Sequence, residues 1–327
     1  MASKKKIQDT LKLLITDGCN LSCVYCVPEL QTKKSIRKKG LKHVELLRLV
    51  RPLIAQGVEN IDFRGGEPLI KKWLIPFLEE IVRIPQMKRI SIMTNGVVLK
   101  EHASELYQLG VKEIGIHVDS LDFEKYMKIT RGDHLYRVYA GLDEAEKLGY
   151  DKIRIYVLVV KGLNHKEIID FALLTKEHPY EVVFLEYVPY DAVESSLKGR
   201  ENFHYPLAIV KEEIDNFQKI FPIEDLPEDE ERFRFEDAKG SIRFASPIKN
   251  HICARCSRIV LTTEGLLSSC FLTDRPVDLR PCLAVKEGLE SADVLEGLKK
   301  AIRSRPRKIP KQEKPFQYCV QYCFIDE

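Results

Sequence analysis

Between residue 10 and about residue 220 the chain alternates two hydrophobic rhythms. Short β-branched runs read as strands: LKLLITD (11–17), NIDFRGG (60–66), RISIMTNG (89–96), EIGIHVDS (113–120), KIRIYVLVVKG (152–162) and EVVFLEYVP (181–189). Between them apolar residues recur every three or four positions, as in VELLRLVRPLIAQG (44–57), where Gly57 closes a helix. The same period runs through IPFLEEIVRI (75–84), EHASELYQLG (101–110), VYAGLDEAEKLG (138–149) and KEIIDFALLTKEH (166–178). Six β-α repeats require parallel strands joined by right-handed crossovers, hence an α/β fold that is either a barrel or an open doubly wound sheet. In both, functional loops leave the C-terminal ends of the strands. The segments CNLSCVYC, GGEP and TNG follow the first, second and third strands, so they meet at one mouth.

After residue 220 the pattern changes. EDLPEDEERF reads as an acidic, proline-containing linker. Beyond it cysteines recur at 253, 256, 270, 282, 319 and 323 among short strand-like pieces, and RSRPRKIPKQEKP (303–315) reads as extended and solvated. The expected division is a barrel domain, 1–225, and a C-terminal domain, 226–327.

Composition narrows the function. The 327 residues are 44% hydrophobic and 31% charged, which suits a packed globular protein. A net charge of +3, from 52 basic and 49 acidic residues, gives no support to nucleic acid as a partner. MASKKKIQDT and the interrupted apolar run after it do not read as a secretory signal, and no segment reaches membrane-spanning length. Nine cysteines in such a chain point to metal or redox chemistry in a reducing cytoplasm rather than to disulfides.

Cys19, Cys23 and Cys26 are spaced C-x3-C-x2-C. Thiolates are soft ligands for iron–sulfur clusters or zinc. Three from one loop hold three irons of a 4Fe–4S cube and leave the fourth open; a zinc knuckle needs a distant fourth ligand instead. Gly65 and Gly66 permit close backbone approach to a ligand, and Glu67 offers a carboxylate to an ammonium group, although GGEP also serves as a plain turn. A second set, Cys253, Cys256 and Cys270, forms C-x2-C-x13-C around a hairpin-like TTEG. Its C-x2-C is equally a common zinc element.

The segments LLITDGCNLSCVYCVPE, RGGEPLI, IMTNGVVL, DSLDFEKYMKITRGD, VVKGLN, FLEYVP and CARCSRIVLTTEGLLSSC, in that order, resemble the radical-SAM superfamily. More narrowly they resemble its GTP 3′,8-cyclase (MoaA-type) family, which begins molybdenum-cofactor biosynthesis. The resemblance implies a partial (β/α)6 TIM-type barrel closed by a C-terminal domain with an auxiliary 4Fe–4S cluster. It implies that S-adenosylmethionine occupies the open iron at Cys19, Cys23 and Cys26. Its one-electron cleavage would give a 5′-deoxyadenosyl radical that takes hydrogen from a small, nucleotide- or sugar-like substrate bound between the two clusters. An electron donor such as flavodoxin or ferredoxin is implied with it. By the same resemblance Tyr25, Gly66 and the segment around Val188 line the cofactor site. Gly65, Glu67, Thr94, Asn95 and Asp119 join them by their place at the mouth. Cys253, Cys256 and Cys270 would hold the second cluster, with Cys319 or Cys323 as a fourth ligand in a closed version; open and closed stand as equal alternatives.

Basic residues decide how far the substrate transfers. Arg154 and Arg258 keep family positions and Lys12 replaces an arginine, but other phosphate-binding positions correspond to Asn60, Asp62, Val183 and Val260. Arg64 either offers partial compensation or pairs with Asp62. Each lost charged hydrogen bond forfeits about 1.5–3 kcal/mol, so the expectation is a divergent paralogue acting on something other than GTP. An authentic GTP cyclase, and in another class a zinc-stabilised structural or RNA-binding protein, are the alternatives. His117, where the family has serine, reads as a satisfied core histidine.

Overall fold

A computed structural model of the chain describes residues 9–26, 40–187, 203–224, 231–246, 257–269, 275–285 and 291–305. Six strands, β1 (Thr10–Leu14), β2 (Asn60–Arg64), β3 (Arg89–Thr94), β4 (Glu113–His117), β5 (Lys152–Val159) and β6 (Tyr180–Glu186), lie side by side in chain order and run parallel. Helices α1 (His43–Ala55), α2 (Leu74–Val82), α3 (Leu99–Gln108), α4 (Phe123–Thr130), α5 (Leu135–Leu148) and α6 (Ile168–Glu177) fill the crossovers. Sequential neighbours joined by crossovers of one hand put every helix on the same face. That selects the barrel over the doubly wound sheet.

Packing separates the two faces. Leu13, Phe63, Ile92, Ile114, Ile155 and Val182 join one core with helix residues such as Leu49, Leu53, Phe77 and Ala145. Tyr156, Leu158, Val183, Leu185 and Ala245 form a second cluster on the lumen face, together with Tyr25 and Ile129. With both faces covered, β1 and β6 are buried along their whole length, which is why they read as near-continuous apolar runs. In α1 the inward stripe is Leu46, Leu49, Val50, Leu53 and Ile54, and the Glu45 carboxylate takes the Lys42 N–H at 2.7 Å. The eight residues of α4 are set by a cap: Asp122 accepts from the Lys125 N–H at 2.8 Å.

The later part of the chain adds α7 (Leu207–Phe217), β7 (Ile220–Pro222), β8 (Arg232–Phe235), β9 (Ser241–Ala245), β10 (Arg258–Leu261), β11 (Leu266–Ser268), β12 (Val277–Asp278) and α8 (Ser291–Arg303). β9 lies parallel beside β6 and β10 parallel beside β1, so strands from beyond residue 225 extend both edges of the barrel sheet. TTEG is the turn of the β10–β11 hairpin. The resulting 12-stranded sheet runs in the order β12-β11-β10-β1-β2-β3-β4-β5-β6-β9-β8-β7. Its end strands, β12 and β7, do not pair with each other among the described residues, which makes the barrel partial.

Candidate active site

The cysteine loop leaves β1 and is tied to α4 by backbone alone. Ser22 N–H donates to Thr130 O at 3.0 Å and Val24 N–H to Ile129 O at 2.8 Å, while Cys26 N–H turns back to Cys23 O at 3.0 Å. Cys19 is exposed at the rim; Cys23 and Cys26 are half-buried. Cys19 Sγ accepts from Leu21 N–H at 3.4 Å and from Asn95 Nδ2 at 3.5 Å. Burial pushes the Cys19 and Cys23 thiols up. A metal ligated there would need the deprotonated thiolates, so its binding would release those protons.

GGEP sits across from this loop. A Cβ on Gly65, which has φ +139°, would lie 2.3 Å from Thr16 O, and one on Gly66 would lie 2.3 Å from Gly18 O. The glycines are thus demanded first by the protein's own close approach of two loops, sealed by Gly66 N–H to Thr16 O at 2.7 Å and Glu67 N–H to Gly18 O at 2.9 Å. Glu67 is fully buried and lies behind the pocket wall. Its carboxylate accepts from Leu69 N–H (2.9 Å), Thr94 Oγ1 (2.7 Å) and Asn95 N–H (2.6 Å). Burial raises its pKa to about 7 despite these donors. Glu67 welds GGEP to TNG, and Asn95 carries that weld on to Cys19 and to Asn20 Oδ1 at 2.7 Å.

A third group comes from β4 and the cysteine loop. The Asp119 carboxylate accepts from Tyr25 Oη, from His117 Nε2 at 3.0 Å and from Leu158 N–H at 2.7 Å. Tyr25 Oη also lies 3.3 Å from His117 Nε2. The pocket between these loops is lined by Cys19, Cys23, Tyr25, Gly65, Gly66, Thr94, Asn95 and Asp119, all expected from the sequence, and by Arg64. Leu21, Met93, His117, Val118 and Thr130 complete it. The space between these loops, about 610 Å³, is in part continuous with solvent. His117 is therefore a wall residue at the mouth, 21% exposed in its side chain, rather than a core histidine. Its place next to Asp119 at a strand end was the available signal.

The basic residues divide. Arg64 is 1% exposed and pairs with Asp62, whose other oxygen accepts from Ser91 Oγ at 3.2 Å. Lys12, 2% exposed, lies in register between Asp62 and Val260. Arg154 is deeper: its Nε meets Glu181 at 3.0 Å and its Nη1 meets Glu113 at 3.2 Å. Arg232 and Arg243 approach the same Glu181 at 3.3 and 3.9 Å. Sequence reasoning missed Arg243, which stands beside Val183 on the next strand. Arg258 opens β10, and its carbonyl accepts from Arg305 at 2.7 Å. Lys12, Arg154 and Arg258 do not line the mouth pocket. Val188, Cys253, Cys256, Cys270, Cys319 and Cys323 lie outside the described residues; Cys282 is buried near β12.

Residues 13–175 match the Radical SAM superfamily and residues 180–310 match the Molybdenum Cofactor Synthesis C family. A GTP 3′,8-cyclase of Thermodesulfovibrio yellowstonii is 34% identical over 316 residues, spanning 94% of this chain and 95% of the relative. The chain belongs to the GTP 3′,8-cyclase family of radical SAM enzymes. Another GTP 3′,8-cyclase, from Geobacter sulfurreducens, is 32% identical over 91% of this chain and 90% of its own. The Molybdenum cofactor biosynthesis protein 1 of Dictyostelium discoideum is 32% identical over 89% of this chain, which spans 46% of that longer protein. Among solved structures, Streptococcus suis SuiB bound to S-adenosylmethionine superposes with TM-score 0.62 at 16% identity, covering 91% of this chain and 68% of that one. Native anSMEcpe with bound AdoMet gives 0.57 at 16%, over 96% and 94%. These two likenesses are of fold. A zinc-stabilised structural or RNA-binding protein is set aside by the family.

The superfamily works with S-adenosylmethionine and a 4Fe–4S cluster, and the residues present fit that pair. Three thiols share one loop, and N–H donors face Cys19. Among the described residues no helix is long and apolar enough to cross a membrane.

Proposed function

We propose that this radical SAM enzyme transforms a purine nucleotide held in the barrel lumen, with GTP, the compound named by its relatives, as substrate. The observation that carries this is the extent of the likeness to a GTP 3′,8-cyclase: 94% of the chain, through the barrel and the C-terminal region alike. Cys19, Cys23 and Cys26 would hold the cluster, which with S-adenosylmethionine supplies a 5′-deoxyadenosyl radical for hydrogen abstraction. The chain's own residues do the rest. Asn95 and the Leu21 amide steady the Cys19 thiolate; Glu67 fixes the loop that carries Asn95 and Thr94. Tyr25, His117 and Asp119 form the polar wall facing the nucleoside, while Leu21, Met93 and Val118 keep water from the reacting atoms. A second cluster on Cys253, Cys256 and Cys270, and reduction by a flavodoxin or ferredoxin, belong to this reading.

A second reading, a substrate without a triphosphate, is favoured by the lumen charges. Arg64 is committed to Asp62, and Arg154 to Glu181 and Glu113. A phosphate brought against Asp62 meets like charge. The relatives' names favour GTP over this. The two readings separate on anaerobically reconstituted protein. Saturable GTP binding, with GTP-dependent 5′-deoxyadenosine release after reduction, supports the first. No binding at millimolar GTP, with 5′-deoxyadenosine still released slowly, supports the second.

A further inference from the structure

Register pairing between β4 and β5 ends at His117 and Tyr156, with one further bond from Val118 N–H to Tyr156 O at 3.0 Å. Strand β5 nevertheless runs on to Val159. Past that point two side chains take over from the ladder. Leu158 N–H donates to the Asp119 carboxylate at 2.7 Å, and Leu158 O accepts from Asn164 Nδ2 at 2.8 Å. The same Nδ2 donates to Asp119 O at 2.8 Å, while Asn164 Oδ1 accepts from Val160 N–H at 2.8 Å. Asn164 closes VVKGLN, where Gly162, at φ +81°, lets the chain fold back on the strand end. Leu163 N–H and Asn164 N–H both return to Val160 O, at 3.1 and 3.2 Å. Asn164 is 3% exposed and stands behind the mouth pocket rather than in its lining. A buried amide with both donors and its acceptor engaged is held there by its bonds. All of them go to main chain at the end of β5 or at Asp119, whose carboxylate grips Tyr25 and His117.

We propose that Asn164 is a positioning residue for the mouth: by bridging the Asp119 and Leu158 carbonyls, it aims the Asp119 carboxylate at Tyr25 of the cysteine loop and at His117. Tyr25 lies between Cys23 and Cys26. An Asp119 free to turn therefore loosens the cysteine loop and the pocket wall together. Affinity for a ligand in the pocket falls as a result, although Asn164 itself touches none. This rests on the reading that the mouth pocket holds S-adenosylmethionine. An aspartate at 164 keeps the shape and loses both donors; a serine keeps one donor on a shorter arm.

The test measures the Kd of S-adenosylmethionine by calorimetry on anaerobically reconstituted wild type, Asn164→Ser, Asp119→Ala and the double variant. Asn164→Ser is expected to weaken binding about tenfold in the wild-type background and less than about twofold in Asp119→Ala, because effects passing through one group do not add. Tyr150→Phe is the control for lost stability. It removes a buried hydroxyl from Ala103 O, 2.8 Å away on α3 and outside the pocket lining, and should leave Kd within about twofold of wild type. A second readout needs no cluster. In 15N-histidine spectra of cluster-free protein, with His117 assigned through His117→Gln, the Nε2 signal is expected to shift in Asn164→Ser and to stay in place in Tyr150→Phe. Equal weakening in both backgrounds overturns the proposal, and so does an unmoved His117 signal. Asn164→Asp is the second variant, and wild-type affinity in it overturns the proposal as well. Wild-type protein that binds no S-adenosylmethionine overturns the functional reading instead, while the His117 signal still decides whether Asn164 holds the wall.

Discussion

Glu67 shows how one side chain governs the mouth. Its carboxyl keeps a proton up to about pH 7, while in the unfolded chain it would release it near 4.5. Between those values the native state binds more protons, so stability falls as pH rises. In cluster-free protein, wild type is expected to lose of the order of 3 kcal/mol through this group between pH 4.5 and 7, an increment absent from Glu67→Gln in denaturant titrations at the two pH values. Gly66→Ala makes a different demand. Its Cβ would strike the Gly18 carbonyl, so stability should fall by more than about 1 kcal/mol and iron incorporation should collapse; thermal melting and iron analysis check both. Spacing made the cysteines and GGEP legible, because their chemistry is local in sequence. The Arg64–Asp62 pair was readable as one of two options.

At the level of elements, β1 to β6 were legible because burial on both faces writes long apolar runs, and α1 to α3, α5 and α6 because each shows a periodic stripe. Helix α4 was not, being eight residues held by the Asp122 cap and by the cysteine loop it supports. β9 was missed for another reason: Arg243 occupies a buried lumen position that a strand pattern would fill with an apolar residue. Glu181 is shared by Arg154, Arg232 and Arg243 at the deep end of β5, β6 and β9. Glu181→Ala withdraws the carboxylate from three guanidinium groups and is expected to destabilise by about 3–5 kcal/mol, measured by urea unfolding. Arg154→Met should cost less, because Arg232 and Arg243 still face Glu181. The reverse ranking would mean that Arg154, rather than Glu181, is the centre of the network.

Over the whole molecule, the sheet joins what composition divided. The expected boundary at residue 225 falls between strands that share one sheet, with β9 covering the β6 edge and β10 the β1 edge. Residues 1–225 expressed alone would present two long, apolar parallel edges, and such edges associate. The expected outcome is aggregation or a marked loss of thermal stability relative to the full chain; a soluble, cooperatively melting fragment would show that the barrel stands by itself. The pairing of Thr10–Leu13 with Arg258–Leu261 also has a consequence for biogenesis. At about 5–20 residues per second, the ribosome delivers the outer partner of the first strand some 12–50 seconds after that strand itself. Through that interval the nascent polypeptide carries β1 with a bare outer edge beside the cysteine loop, and that edge is open to association until β10 arrives.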